Sequence, residues 1–274
     1  MNNLKRELAP ISSAAWEQID AEAHRVLKVE LAGRKLVDFI GPLGPTAAAV
    51  NLGRSEALAN GPVAKVEAAR RAALSLVELR TAFELLRSEL DAIENGAKDF
   101  DQAPLVEAAT RIAQSEDTAI FHGYTAGGIR GIDQASPHAA LPISENYQEY
   151  PRSIAEATRL LRMAGVDGPY AIALGPRCYT GLTQATGGGY PVLNVVRKLV
   201  DGPLVWAPAV NGAIVLSTRG GDFELTVGRD VSIGYQSHTD TAVRLYLTES
   251  LTFRVLTPEA AVALTYGSGG KKKR

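Results

Sequence analysis

The chain has 274 residues, 46% of them hydrophobic, with 29 Lys+Arg against 30 Asp+Glu for a formal net charge of −1. It is long enough to bury a core as one large domain or two modest ones, and its balanced charge excludes a global field that would draw nucleic acid or an anionic membrane. The single cysteine, Cys178, excludes an internal disulfide, the opening "MNNLKRELAP" lacks the apolar core of a secretion signal, and no apolar run reaches the roughly 18 residues that cross a bilayer, so a soluble protein of the reducing cytoplasm is expected.

After the turn at Pro10, Ser12 and Ser13 offer a cap for a helix in which Trp16, Ile19, Ala23, Val26, Leu27 and Leu31 recur at steps of three and four, with Gly33 as its stop. The following "GRKLVDFIGPLGP" ends in loop residues. Residues 46–75 carry small side chains and scattered charges without a core period, so this segment is read as either mobile or buried against another molecule. A second helix is predicted from Ala103 to His122, and a third from Ile154 to Ala164, closed by Gly165. The apolar runs "PYAIAL", "LVWAPA" and "GAIVLST" read as strands. The clearest strand is 243–255, where Val243, Leu245, Leu247, Leu251, Phe253 and Val255 alternate with polar or aromatic neighbours. Glu249 breaks that alternation and is expected to be paired with a basic group or to sit at a bulge. The mixed order of elements predicts an α+β fold.

Motifs with chemistry attached are few. "QATGGGYP", Gln184 to Pro191, lacks the lysine and Ser/Thr of a Walker loop, so its glycines are read as a flexible surface loop. His24, His122, His138 and His238 form no metal-binding spacing, so no metal site is expected. Cys178 has no histidine near it in sequence and reads as a small buried hydrophobe, while the adjacent Glu116 and Asp117 are expected on a solvated or salt-bridged helix face. The competing enzyme reading is a small soluble hydrolase built on Cys178, His122 and Glu249. The tail "GSGGKKKR", 267–274, reads as an appended spacer and basic tip, and only such a tail would offer nucleic acid a foothold.

In chain order, "LAPISSAAWEQIDAEA", "GRKLVDFIGPLGP", "ELRTAFEL", "DGPYAIAL", "GYPVLNVVRKLVDG", "TRGGDFELTVGRDVSIGY" and "VRLYLTESLTF" resemble encapsulin shell proteins of family 1, above all the actinobacterial members that share the "MNNL" opening. The resemblance covers residues 1 to about 266 and implies an HK97-like capsid fold. It implies the start of a P domain with the N-terminal helix at 1–45, an extended E loop at 46–75, the P domain with its spine helix at 76–131, an A domain at 132–222 and P-domain strands at 223–266.

The same resemblance implies two functional sites. A groove for the C-terminal peptide of a cargo protein falls on Leu27, Arg34, Leu36, Asp38, Asp230, Val231 and Ile233, with the leucines, valine and isoleucine as apolar anchors and Arg34 and Asp38 as polar partners. Without the resemblance, Arg34 and Asp38 read as an i, i+4-type surface pair. A five-fold pore rim falls on Gln184, Ala185, Thr186, Gly187, Gly188, Gly189 and Tyr190. The implied assembly is a homo-oligomer, a T=1, sixty-subunit shell around a dye-decolourising peroxidase or a ferritin-like protein, with no membrane partner and no catalysis of its own. Some relatives carry a flavin-stacking tryptophan where this chain has Ser88, so no cofactor, flavin included, is expected. A prophage capsid protein that packages DNA is the alternative on the same fold.

Overall fold

A computed structural model describes residues 3–266 of the chain, and the basic tail at 267–274 lies outside the described residues. Helix α1 (Ser13–Glu30) begins at its expected cap: Ser12 is extended and its Oγ accepts the Ala15 backbone N–H at 3.1 Å. Ala15, Ile19, Ala23 and Val26 form its buried stripe. A single 3-10 turn, Gly33–Lys35, leads into strand β1 (Asp38–Ile40). Next come the antiparallel pair β2 (Ala49–Ala57) and β3 (Ala69–Ser75), strand β4 (Val77–Leu86) and helix α2 (Arg87–Glu94). Helix α3 (Ala103–Phe121) runs for 19 residues, with Pro104 in its first turn.

The remaining elements alternate short helices and strands. They are α4 (Ile132–Ala135), β5 (Leu141–Ile143), α5 (Tyr150–Met163), β6 (Tyr170–Leu174) and α6 (Pro176–Gln184). A two-residue pair, β7 (Thr186–Gly187) and β8 (Tyr190–Pro191), precedes α7 (Val192–Arg197), β9 (Leu204–Trp206) and β10 (Ala213–Ser217). The chain closes with β11 (Phe223–Val227), β12 (Ser232–His238), β13 (Ala242–Val255) and β14 (Ala261–Tyr266). The expected third helix begins four residues early, because Tyr150 and Pro151 fit its first turn.

Two five-stranded sheets carry the fold. In the first, the 14-residue β13 pairs with β12, β4 and β11, and β1 closes one edge beside β11. In the second, the order is β5-β14-β10-β6-β9. Strand β14 therefore leaves the 223–255 strands and pairs with β10 and β5. The β2–β3 ribbon joins neither sheet and buries neither face, which explains why 46–75 showed no core period.

Buried side chains fall into two clusters. One joins α1 and α2 to Leu105, Ala108, Ala109 and Ile112 of α3 and to Val243, Leu245 and Leu247 of β13. The other joins Ala119, Ile120 and Phe121 of α3, Leu251 and Phe253 of β13, helix α5 and the second sheet. Both α3 and β13 run through both clusters, and each changes cluster at a carboxylate: Glu116 on the helix, Glu249 on the strand. Among the described residues, no helix is long and apolar enough to cross a membrane.

Candidate functional site

The seam between the two clusters is held by Arg34. Its guanidinium donates from Nε to Glu116 Oε1 at 2.9 Å and from Nη2 to Glu116 Oε2 at 2.6 Å, a two-pronged pairing. It also donates from Nη1 to Asp230 Oδ1 at 2.7 Å and from Nη2 to Glu249 Oε2 at 3.3 Å. Glu116 and Glu249 are wholly buried, and the Glu249 Oε1 has no hydrogen-bond partner. Burial, and next the neighbouring Glu116, push the Glu249 carboxyl well above the usual range against the pull of Arg34. A proton on Glu249 lets it donate to Glu116, so one arginine does not have to neutralise three carboxylates alone.

The turn that aims Arg34 has its own anchor. Asp117 accepts the backbone N–H groups of Ala32 and Gly33 at 2.9 and 2.8 Å, capping the 3-10 turn from inside the protein. Burial pushes the Asp117 carboxyl up to about 7 although both amides favour its charged form. Glu116 and Asp117 are thus not a solvated face. The salt bridge expected of them belongs to Glu116, whereas Asp117 holds backbone. Glu249 is paired with a basic group, as its place in the strand suggested.

The seven expected groove residues stand in different states. Leu36 and Ile233 are only 4% and 5% exposed and belong to opposite clusters, so as anchors for a peptide they are already occupied by the protein's own core. Leu27 and Val231 lie half-buried at the rim of one cluster and retain open surface. Asp230 is 44% exposed beyond Arg34, with Val231 N–H donating to its Oδ1 at 2.8 Å. Arg34 and Asp38 do not pair: Asp38 instead accepts the Gly221 N–H at 2.6 Å. Phe39, 39% exposed with its ring 5.2 Å from the Arg34 guanidinium, and Ile40, 40% exposed, add apolar surface on the edge strand β1 that the sequence reading left out. Their only sequence signal was an apolar pair beside the arginine.

The glycine stretch forms a tight two-residue hairpin. Thr186 pairs with Pro191 and Gly187 with Tyr190, which leaves Gly188 and Gly189 as the two turn residues at φ 57° and 83°, a conformation that favours glycine. Gln184 ends α6, Ala185 accepts the Val192 N–H at 3.0 Å, and Gln148 donates to the Thr186 carbonyl at 2.9 Å. Tyr190 stands 46% exposed, its ring 5.7 Å from Lys198 Nζ.

No hydrolytic triad forms. Cys178 is buried between the hydroxyls of Tyr150 and Tyr266, His122 contacts Asp133 and Ala209, and Glu249 contacts Arg34. Ser88, in the first turn of α2, is exposed. Among the described residues no group of three or more His, Cys, Asp or Glu could hold a metal ion.

A family model described as an encapsulating protein for peroxidase matches residues 1–252. The type 1 encapsulin shell protein of Rhodospirillum rubrum is 54% identical over 270 residues, covering 96% of each chain. That of Mycobacterium tuberculosis is 48% identical over 269 residues, covering 97% of this chain and 100% of its own. Among solved structures, the virus-like particle of Pyrococcus furiosus aligns over 90% of this chain and 98% of its own at 15% identity and a TM-score of 0.64. The Gordonia phage Cozz structure aligns over 87% of each chain at 14% identity and a TM-score of 0.56. These likenesses identify the fold as the HK97-like capsid fold in its α+β form.

Removing the arginine should be costly and removing the extra carboxylate cheap. Arg34→Met leaves buried carboxylates without a cation and is expected to destabilise the protein by about 3–5 kcal/mol in denaturant unfolding. Glu249 binds its proton more tightly when folded, so its contribution is full below the unfolded carboxylate value and fades as pH rises through the raised folded one. Asp117 acts in the same sense up to about pH 7. In Glu249→Gln the loss of stability as pH rises above the ordinary carboxylate range should therefore be smaller than in the parent; an unchanged slope refutes this account of the seam.

Proposed function

The chain belongs to the encapsulin family of shell proteins, and on that premise we propose that it is a structural subunit that self-assembles into a closed icosahedral compartment around a cargo enzyme. The chemistry then resides in the cargo, and the shell sorts what reaches it. The observation that carries this reading is the β2–β3 ribbon: it stands apart from both sheets and exposes Leu58, Val63 and Val66 at 49%, 68% and 52% near its tip. A ribbon of two strands is not stable by itself in water, and contact with a second copy of the chain supplies the missing partner surface. In this reading the ribbon is the E loop, α3 the spine of the P domain, and the second sheet with α5 to α7 the core of the A domain.

The groove is the open rim around the Arg34 seam, where Leu27, Val231, Phe39 and Ile40 offer apolar surface and Asp230 an accepting carboxylate. An extended cargo peptide matches that mixture, and a peroxidase is the cargo that the family description favours. The hairpin at 186–191 is read as the pore rim, its tip uncharged and narrow. A T=1 shell, residence in the cytoplasm and the absence of bound flavin complete the proposal. DNA packaging is the alternative on the same fold, and the nucleic-acid content of purified particles separates the two.

Size-exclusion chromatography should show particles in the megadalton range, and deleting residues 49–75 should give small species that still unfold cooperatively. A wild-type protein that elutes as a monomer overturns the shell. Leu27→Asp should leave particles intact while cutting co-purified cargo at least about tenfold, the scale of a lost apolar anchor; undiminished cargo removes the groove. Replacing Gly187, Gly188 and Gly189 by aspartate should slow entry of a small anionic dye relative to a neutral dye of equal size. Equal entry into variant and parent shells refutes the pore assignment.

A further inference from the structure

We propose that His122 is a proton-dependent clasp that ties the end of the spine helix α3 to the second-sheet lobe, closed while its imidazole is doubly protonated and loosened when it is neutral. His122 is the residue on which α3 ends, and both of its ring nitrogens face acceptors. Nδ1 lies 2.6 Å from Asp133 Oδ2 on α4, and Nε2 lies 2.9 Å from the Ala209 carbonyl, in the segment between β9 and β10 of the second sheet. A carboxylate and a carbonyl only accept, and a neutral imidazole carries one N–H and one lone pair. Both contacts are made together only by the imidazolium.

The surroundings fix the base of the clasp. A Cβ on Gly131 would lie 2.2 Å from the Gly123 nitrogen and 2.4 Å from the His122 carbonyl carbon, so the loop that returns to α4 is packed backbone against backbone. Asp133 therefore reaches His122 from a rigid support, and its Oδ1 is buried without a partner, which leaves the imidazolium as its compensating contact. Asp133 is the charged group that acts on the ring. The second-sheet lobe presents the Ala209 carbonyl, α3 contributes the Thr118 carbonyl to the His122 backbone N–H, and the nearby Arg130 guanidinium is turned to the Gln134 carbonyl.

The hydrogen bond to the Asp133 carboxylate raises the His122 pKa above the ordinary value, burial opposes this, and the Ala209 carbonyl adds to it. For a histidine whose folded pKa is raised, the stabilisation is complete below about 6.5, the unfolded value, and is lost as pH rises through the folded one. Deprotonation breaks one of the two contacts. The link to Ala209 is the one given up, since the remaining proton stays on Nδ1 toward the Asp133 carboxylate. The inference concerns contacts within one chain and stands whether or not the shell reading does.

The test is local, because Asp117 and Glu249 also give global stability a pH dependence. Hydrogen exchange of peptides spanning 204–214 in the full-length protein is followed in half-unit steps from pH 6.0 to 8.5 after correction for intrinsic exchange, and the two ends are compared. Loss of one charge-assisted contact should reduce protection in the wild type about tenfold between the two conditions. In His122→Gln, protection should not depend on pH, and in Asp133→Asn the transition should move down by about one pH unit because the carboxylate is gone. Equal protection of the wild type at both pH values, the same tenfold fall in His122→Gln, or an unmoved transition in Asp133→Asn overturns the clasp.

Discussion

The fold depends on one guanidinium placed where two hydrophobic cores meet. Helix α3 and strand β13 both run between those cores, each long enough to serve both, and each carries a carboxylate at the crossing point. Buried carboxylates without a cation are among the most expensive features a protein can hold. Arg34 comes from neither element: it sits in the turn between α1 and β1, and its position is set by the Asp117 carboxylate through the Ala32 and Gly33 amides. The N-terminal helix is thereby locked to the spine through polar contacts that have one geometry, whereas its apolar stripe alone would tolerate sliding. We regard the cluster as a device for registering three segments rather than for adding stability, since an apolar replacement of such a network is often no less stable.

How much of this was legible depends on how many faces an element buries. Helices α1, α3 and α5 and strand β13 announced themselves because each has one apolar stripe of the right period. Strand β4 has an equally good period of two in Val77, Leu79, Thr81, Phe83 and Leu85, and only its placement after an unreadable segment hid it. The ribbon had no signal to give, since a strand pair that buries nothing within its own chain has no reason to alternate. Glu116 and Asp117 misled because adjacent helix positions point about 100° apart, which suggested divergence into solvent. A helix wrapped on one side by α1 and on the other by a sheet buries both directions.

The candidate site shows the same division. Resemblance placed Leu27, Arg34, Leu36, Asp38, Asp230, Val231 and Ile233 in one neighbourhood, and of these Asp230 pairs directly with Arg34. The resemblance could not tell which side chains face outward. Leu36 and Ile233 follow the demands of their strand and turn and enter opposite cores, while Phe39 and Ile40 stay open because β1 is an edge with a neighbour on one side alone. Burial is decided by packing partners far away in sequence, which a local reading of residue type does not contain. In the glycine hairpin the reverse holds: the turn is encoded locally by residues that accept positive φ.

A groove built on this seam has an energetic consequence. Asp230 is the sole exposed member of the charged cluster, and its Oδ1 already receives both Arg34 and the Val231 N–H. A ligand that hydrogen-bonds Asp230 therefore shares an acceptor with the guanidinium that balances Glu116 and Glu249. If it draws Asp230 away, Arg34 is left to the two buried carboxylates, which favours full ionisation of Glu249. If it supplies a donor while Asp230 stays, the proton on Glu249 is held less tightly, because the exposed carboxylate then repels the Glu249 anion less. In the groove proposed above, occupancy of the rim and protonation of the core are thus coupled reciprocally through Asp230 and Arg34.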